Sequence, residues 1–316
     1  MIEMRRILLP CDFSPFSQRA LGQAVALARA YGADVLALHV IPVTVVPSAA
    51  LAYYPNPLLL DPGAQDHIRE ELRRFVEPAR QAGVHAEVDV RQGTPSRQIV
   101  ELAGTLHADV IVMGTHGRGG FERVVLGSVA EKVLRKAPCP VMTVHEDGGA
   151  PAPPFERILC PIDFSPASLA AASYAVSLAE KSGGLLVLLD VIEAPPYGRL
   201  AYPEFAMPPD PVPHEERVRR AFAMAVPEEV RAWKRREERI VWGRPASEIL
   251  HLAREEHADL IVMGVQGRGA IDLALFGSTT HEVVRHANCP VLTVRLTGDA
   301  PTAKRAAKED AAVLVG

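Results

Sequence analysis

The sequence repeats itself. Residues 108–144, ADVIVMGTHGRGGFERVVLGSVAEKVLRKAPCPVMTV, align without a gap on residues 258–294, ADLIVMGVQGRGAIDLALFGSTTHEVVRHANCPVLTV, with 19 of 37 positions identical. RILLPCDFSP at 6–15 matches RILCPIDFSP at 157–166, and QGTPSRQIV at 92–100 matches WGRPASEIL at 242–250. Agreement in three separate blocks means that one unit of about 145 residues has been duplicated. The 316 residues therefore divide into domain 1 over 1–146, a linker at 147–155, domain 2 over 156–297 and a C-terminal tail at 298–316. The junction, EDGGAPAPP at 146–154, is a Gly/Pro/Ala stretch that continues neither helix nor strand.

Within one copy, short apolar runs alternate with helical patterns. RRILLP (5–10) and ADVLALHV (33–40) read as strands, the second without strict alternation, as in a strand buried on both faces. Ser14 precedes a helix with Ala20, Ala24, Leu27 and Ala28 on one face. A Pro-rich excursion fills 42–63, and 64–82 reads as one helix. VHAEVDVR (84–91) alternates like a more exposed strand; 95–106 and 128–136 are helical, and 109–113 and 140–144 are strands. The second copy follows the same plan, with a helix and then a short strand expected within 228–242 and the KRR run at 234–236 taken as a solvated face. Such a βαβα succession implies an α/β fold with a doubly wound parallel sheet.

Composition narrows the function classes. Apolar residues are 48% and charged residues 23%, which excludes a disordered chain, and 27 scattered prolines exclude a coiled coil. A net charge of −4 predicts no nucleic-acid footprint. The apolar stretch at 35–54 is broken by Pro42 and Pro47, so no membrane span is expected. Cys11, Cys139, Cys160 and Cys289 form no CxxC pair and read as reduced, mostly buried thiols, which fits a cytoplasmic protein.

The chemistry concentrates after the fourth strand. Gly114, Gly117 and Gly127-Ser128 in copy 1 recur as Gly264, Gly267 and Gly277-Ser278 at the same spacing. Glycines there let a polyanion approach the backbone amides, and a helix opening at Gly-Ser offers unpaired N–H groups and the positive end of its dipole. The same glycines would also serve merely to shape a loop and cap a helix; two copies at one spacing favour a phosphate cradle. Neither a Walker A loop nor a GxGxxG fingerprint after the first strand is present. At the end of the first strand stand Pro10-Cys11-Asp12 and Pro161-Ile162-Asp163, each followed by Phe-Ser-Pro. Ligands of doubly wound sheets bind at such strand ends, and a carboxylate there suits ribose hydroxyls. Capping the next helix is the other use for that aspartate.

Taken together, these motifs resemble the universal stress protein family in its tandem form, over nearly the whole chain except linker and tail. The resemblance implies two Rossmann-like (flavodoxin-like) sheets of strand order 3-2-1-4-5, related by a pseudo-twofold and paired inside one chain through the fifth strands, and it allows a homodimer of chains. The G-x2-G-x9-G-[ST] signature is that of the family's ATP-binding branch, which implies ATP (or ADP or AMP) with Mg2+ or Mn2+ held by the phosphates. Carried onto this chain, Pro10, Cys11 and Asp12 border adenine and ribose, Val40 offers its backbone to the adenine edge, and Met113 and Gly114 lie beneath the ribose. His116, Gly117, Gly127, Ser128 and Val129 surround the phosphates. The second set is Pro161, Ile162, Asp163, Val191, Met263, Gly264, Gln266, Gly267, Gly277, Ser278 and Thr279, with Gln266 and Thr279 departing from His116 and Val129. The implied function is a nucleotide-dependent regulator or protective factor under stress, with at most slow ATP hydrolysis. Two other classes stay open: a scaffold that binds no nucleotide, and an adenylate-forming or ATP-pyrophosphatase enzyme on a related fold.

Overall fold

The computed structural model describes residues 3–43, 62–116, 126–145, 154–193, 214–265 and 277–296. The chain resolves into two compact units that divide between Pro153 and Pro154. In the first, the strands are β1 (Arg6–Cys11), β2 (Asp34–Pro42), β3 (Ala86–Gly93), β4 (Val110–Gly114) and β5 (Val141–Val144). They lie in the order β3-β2-β1-β4-β5, all parallel. The helices are α1 (Pro15–Tyr31), α2 (Pro62–Phe75), α3 (Glu77–Gln81), α4 (Pro95–Leu106) and α5 (Ser128–Lys136).

The second unit repeats this with β6 (Arg157–Pro161), β7 (Leu185–Ile192), β8 (Arg236–Trp242), β9 (Leu260–Gly264) and β10 (Val291–Val294), ordered β8-β7-β6-β9-β10. Its helices are α6 (Pro166–Ser182), α7 (His214–Ala225), α8 (Glu228–Ala232), α9 (Pro245–Glu255) and α10 (Ser278–His286). Each unit is the doubly wound α/β sheet that the alternating pattern implies, with the winding direction reversing between β1 and β4 and between β6 and β9.

Burial explains the strand pattern. Ile7, Leu8 and Leu9 of β1, and Ile111 and Val112 of β4, are fully buried, because helices cover both faces of a central parallel strand. The outermost β3 keeps most of its residues half-buried. Helices α1 and α6 open identically. Ser14 and Ser165 accept the backbone N–H of Ser17 and Ser168, proline fills the first turn, and Gly32 and Gly183 close the helices in the left-handed region at φ 69° and 66°.

Two features differ from the expectation. The single helix expected over 64–82 is interrupted at Val76, between α2 and α3. Pro78 has no N–H to give to the carbonyl of Arg74, and its ring clashes with the preceding turn. The KRR run is not merely solvated. Arg235 donates to the carbonyl of Gly183 at the end of α6, and Arg236 donates to the carbonyls of Val230 and Arg231. Guanidinium groups at helix carboxyl ends supply donors where backbone carbonyls outnumber the N–H groups of the last turn.

Candidate functional site

In both units the end of the first strand turns through an aspartate. Asp12 Oδ1 accepts from Ser14 N at 3.1 Å and from Ser17 Oγ at 2.5 Å. Asp163 Oδ1 accepts from Ser165 N at 3.0 Å and Ser165 Oγ at 2.6 Å. Serine does the helix capping, but the aspartate braces the capping serine, so one carboxylate oxygen serves the turn. The residues that follow, Phe13 and Phe164, sit in the left-handed region at φ 62° and 59°. A bulky residue adopts that conformation only where its surroundings hold it there. Phe13 N–H reaches Cys11 Sγ at 3.4 Å, and the ring packs on His39 and Phe75; the Phe164 ring packs edge-on against Phe222.

The end of the fourth strand is shaped by backbone approach. A Cβ on Gly114 would stand 2.5 Å from Phe16 Cβ, and one on Gly264 would stand 2.8 Å from the Ala167 backbone, so these glycines let the first helix of each unit press onto the strand end. The chain leaves β4 at Thr115 and returns at Gly127, whose N–H donates to the Thr115 carbonyl at 2.9 Å. Gly277 N–H donates to the Val265 carbonyl at 3.1 Å in the same way. A Cβ on Gly127 would meet that carbonyl at 2.9 Å. The N-caps of α5 and α10 are thus glycines with no side-chain capping bond, and Ser128 and Ser278 stand exposed in the first turn. Bare caps also open α4 and α9; glycine approach at the end of the fourth strand sets α5 and α10 apart.

The structure therefore places Pro10, Cys11 and Asp12 at the carboxyl end of β1, Val40 near that of β2, Met113 and Gly114 at that of β4, and Gly127, Ser128 and Val129 where α5 begins. Pro161, Ile162, Asp163, Val191, Met263, Gly264, Gly277, Ser278 and Thr279 occupy the equivalent places in the second unit. Gly117, Gln266 and Gly267 lie outside the described residues, as do Arg118 and Arg268. Met113 and Met263 are buried, and Val40 is buried more deeply than Val191.

His116 packs on Phe16 with ring centroids 5.1 Å apart, and its Nδ1 lies 3.0 Å from Thr115 Oγ1. Its Nε2 is buried without a hydrogen-bond partner among the described residues. Where repeat 1 has the pair Phe16 and His116, repeat 2 has Ala167 and Gln266. Burial pushes the Cys11 thiol up to about 12, with the neighbouring Asp12 charge adding to the shift, so no thiolate stands at the site. Among the described residues no group of His, Cys, Asp or Glu is placed to hold a metal ion, and no helix is long and apolar enough to cross a membrane.

Sequence reasoning missed Ser17 and Ser168, which brace the aspartate turns, and also His39, Phe13 and Phe16. The serines had a signal: SPFS and SPAS keep a second serine three residues after the cap in both copies. The phenylalanine strain had none, since only a backbone angle reveals it.

The model of the universal stress protein family matches residues 3–145 and again 154–295. The chain belongs to that family, as two consecutive copies of its domain. A universal stress protein of Mycolicibacterium smegmatis is 30% identical over 301 residues, which is 92% of this chain and 96% of that protein. Universal stress protein MJ0531 of Methanocaldococcus jannaschii is 36% identical over 142 residues, covering 45% of this chain and 82% of that one. The crystal structure of a universal stress protein from Archaeoglobus fulgidus superposes with a TM-score of 0.67, covering 93% of this chain and 99% of that one at 24% identity, which supports the fold.

Proposed function

We propose that each unit binds an adenosine nucleotide, ATP foremost, across the carboxyl ends of its first, second and fourth strands. The chain then acts as a nucleotide-dependent regulator or protective factor in the stress response. The observation that carries this reading is the twin strand-to-helix clasp. In each unit a glycine returns the chain to the end of the fourth strand, and a helix opens there with amides that no side chain caps. A triphosphate supplies the acceptors those amides lack. The residues fit the ligand: the first turns of α5 and α10 carry no side-chain cap, and Asp12 and Asp163 lie just past the carboxyl ends of β1 and β6, where ribose hydroxyls would lie. Mg2+ or Mn2+ would ride on the phosphates rather than on a protein cluster. Asp12 and Asp163 already accept hydrogen bonds from the turn, which suits holding a nucleotide better than activating water against it.

The test is mass spectrometry of the freshly purified, denatured protein, followed by thermal denaturation with ATP and Mg2+. Co-purified ATP or AMP is expected, together with stabilisation of about 2.7 kcal/mol at about 100 times Kd. Gly117→Val with Gly267→Val should abolish the shift, and an unchanged shift in that variant would defeat the cradle assignment. No nucleotide and no shift would mean a scaffold. Turnover far above ~1 per minute, approaching the ~10 per second of ordinary enzymes, would mean an enzyme.

A further inference from the structure

In the first unit one side chain joins the two strand ends that frame the proposed nucleoside site. His39 lies on β2 in register with Cys11, the last residue of β1. Its Nδ1 stands 2.8 Å from the Cys11 carbonyl oxygen. A carbonyl only accepts, so Nδ1 carries the proton. The imidazole also packs against Phe13, centroid to centroid 4.8 Å, and Phe13 meets Phe75 of α2 edge-on at 6.0 Å. The next residue after Cys11 is Asp12, and the next after His39 is Val40. The bond therefore spans the residues on which the nucleotide reading depends at its ribose and adenine ends.

The second unit lacks this donor. Its equivalent of His39, one place beyond the Pro161–Leu189 pair, is Asp190, which is buried. Phe164 keeps the left-handed turn, leaning on Phe222 instead. The strained turn is thus common to both units, and the histidine bridge belongs to the first.

We infer that His39 is a positioning residue of the first nucleoside site. Its Nδ1–H bond to Cys11 fixes the spacing between the ends of β1 and β2, and with it the distance between the ribose-facing Asp12 and the adenine-facing Val40. The inference rests on the nucleotide reading given above. It assigns His39 to the base end of the ligand and not to the phosphates, which lie across β4 and α5.

The experiment uses the full chain carrying Asp163→Ala, so that binding is read at the first unit, and calorimetry with ATP and with inorganic tripolyphosphate. His39→Leu is expected to weaken ATP about tenfold and to leave tripolyphosphate unchanged. His39→Asn, whose amide nitrogen occupies the place of Nδ1, should return ATP affinity to within about twofold, and His39→Gln should not. If the unsubstituted chain binds no ATP, the nucleotide reading falls and this inference with it. If ATP binds and His39→Leu changes nothing, or weakens ATP and tripolyphosphate by one factor, the inference alone is overturned. Should the leucine variant fail to fold, the Asn and Gln variants decide, and equal ATP affinities would overturn it.

Discussion

Asp109 and Arg6 hold each other by two bonds: the Arg6 N–H donates to Asp109 Oδ2 at 2.8 Å, and the Asp109 N–H donates to the Arg6 carbonyl at 2.9 Å. The same oxygen accepts the Arg5 N–H at 2.7 Å. Asp259 repeats this with Glu156 and Arg157 at 2.8 and 2.9 Å. Each aspartate stands just before the fourth strand of its unit and locks it to the start of the first, at the opposite end of the sheet from the proposed nucleotide site. Asp109→Ala should cost about 1.5–3 kcal/mol, the range for bonds to a charged group. Asp109→Asn should recover about half, because its one oxygen still accepts. Urea unfolding followed by circular dichroism measures this. Both tryptophans, Trp233 and Trp242, lie in the second unit, so Asp259→Ala should also move the fluorescence transition.

Glycines of this chain separate into packed and open ones. A Cβ on Gly114 would strike Phe16 Cβ at 2.5 Å, whereas one on Gly104 of α4 would meet nothing within 4 Å. Gly114→Ala is therefore expected to cost about 1–3 kcal/mol by overpacking. Gly104→Ala should stabilise by about 0.5–1 kcal/mol through helix propensity. Opposite shifts of the melting temperature are the expected result, and a stabilising Gly114→Ala would refute the close approach of α1.

His107 ends α4 in the left-handed region at φ 51°, and its N–H donates to the Ala103 and Gly104 carbonyls. His257 holds the same conformation at φ 49°. Glycine pays no Cβ penalty there, so His107→Gly should stabilise by up to about 1 kcal/mol in thermal denaturation. His107→Val should do the reverse, since branching at Cβ disfavours positive φ.

The thiols make stability depend on alkaline pH. Burial is the main cause that pushes Cys11, Cys139 and Cys289 up to about 12 and Cys160 higher still; nearby Asp109 and Asp259 add to the shift at Cys139 and Cys289. In the unfolded chain a cysteine ionises near about 8.5. The folded state thus binds more protons above that pH, so this contribution is complete below about 8.5 and is lost as pH rises toward about 12. Urea midpoints should fall between pH 8 and pH 10, and fall less when Cys139 and Cys289 are replaced by alanine. A disulfide reagent at pH 8 should label Cys11, Cys160 and Cys289 of the native protein slowly, the half-buried Cys139 sooner, and all four thiols promptly in urea. Prompt native labelling of the three buried thiols would contradict the burial.

Much of this architecture was legible in the residues. The duplication, the strand and helix succession and the glycine signature all rest on local patterns that repeat at fixed spacing. What stayed hidden depends on contacts between distant segments. Asp109 reads as the first residue of a strand until the chain brings it beside Arg6. His39 reads as one polar residue in an apolar strand until the register sets it opposite Cys11. Pro78 was visible, yet the helical periodicity around it outweighed the break it imposes. Gly114 seemed to serve a turn, and only the approach of Phe16 gives the nearer reason for a missing side chain.

The Thr115–Gly127 and Val265–Gly277 bonds fasten both ends of a loop to one post at the end of a strand. Between those posts the copies share Arg and Gly at 118–119 and 268–269 and differ at all seven positions that follow, 120–126 against 270–276. A ring closed at its base transmits little of its own variation to the scaffold, because the entropy of closing it changes only slowly with its length. Each loop is consequently an exchangeable cassette. After duplication the two copies were free to drift apart over these seven positions while their sheets stayed under common constraint, so that one chain carries two different loop sequences on a single inherited frame.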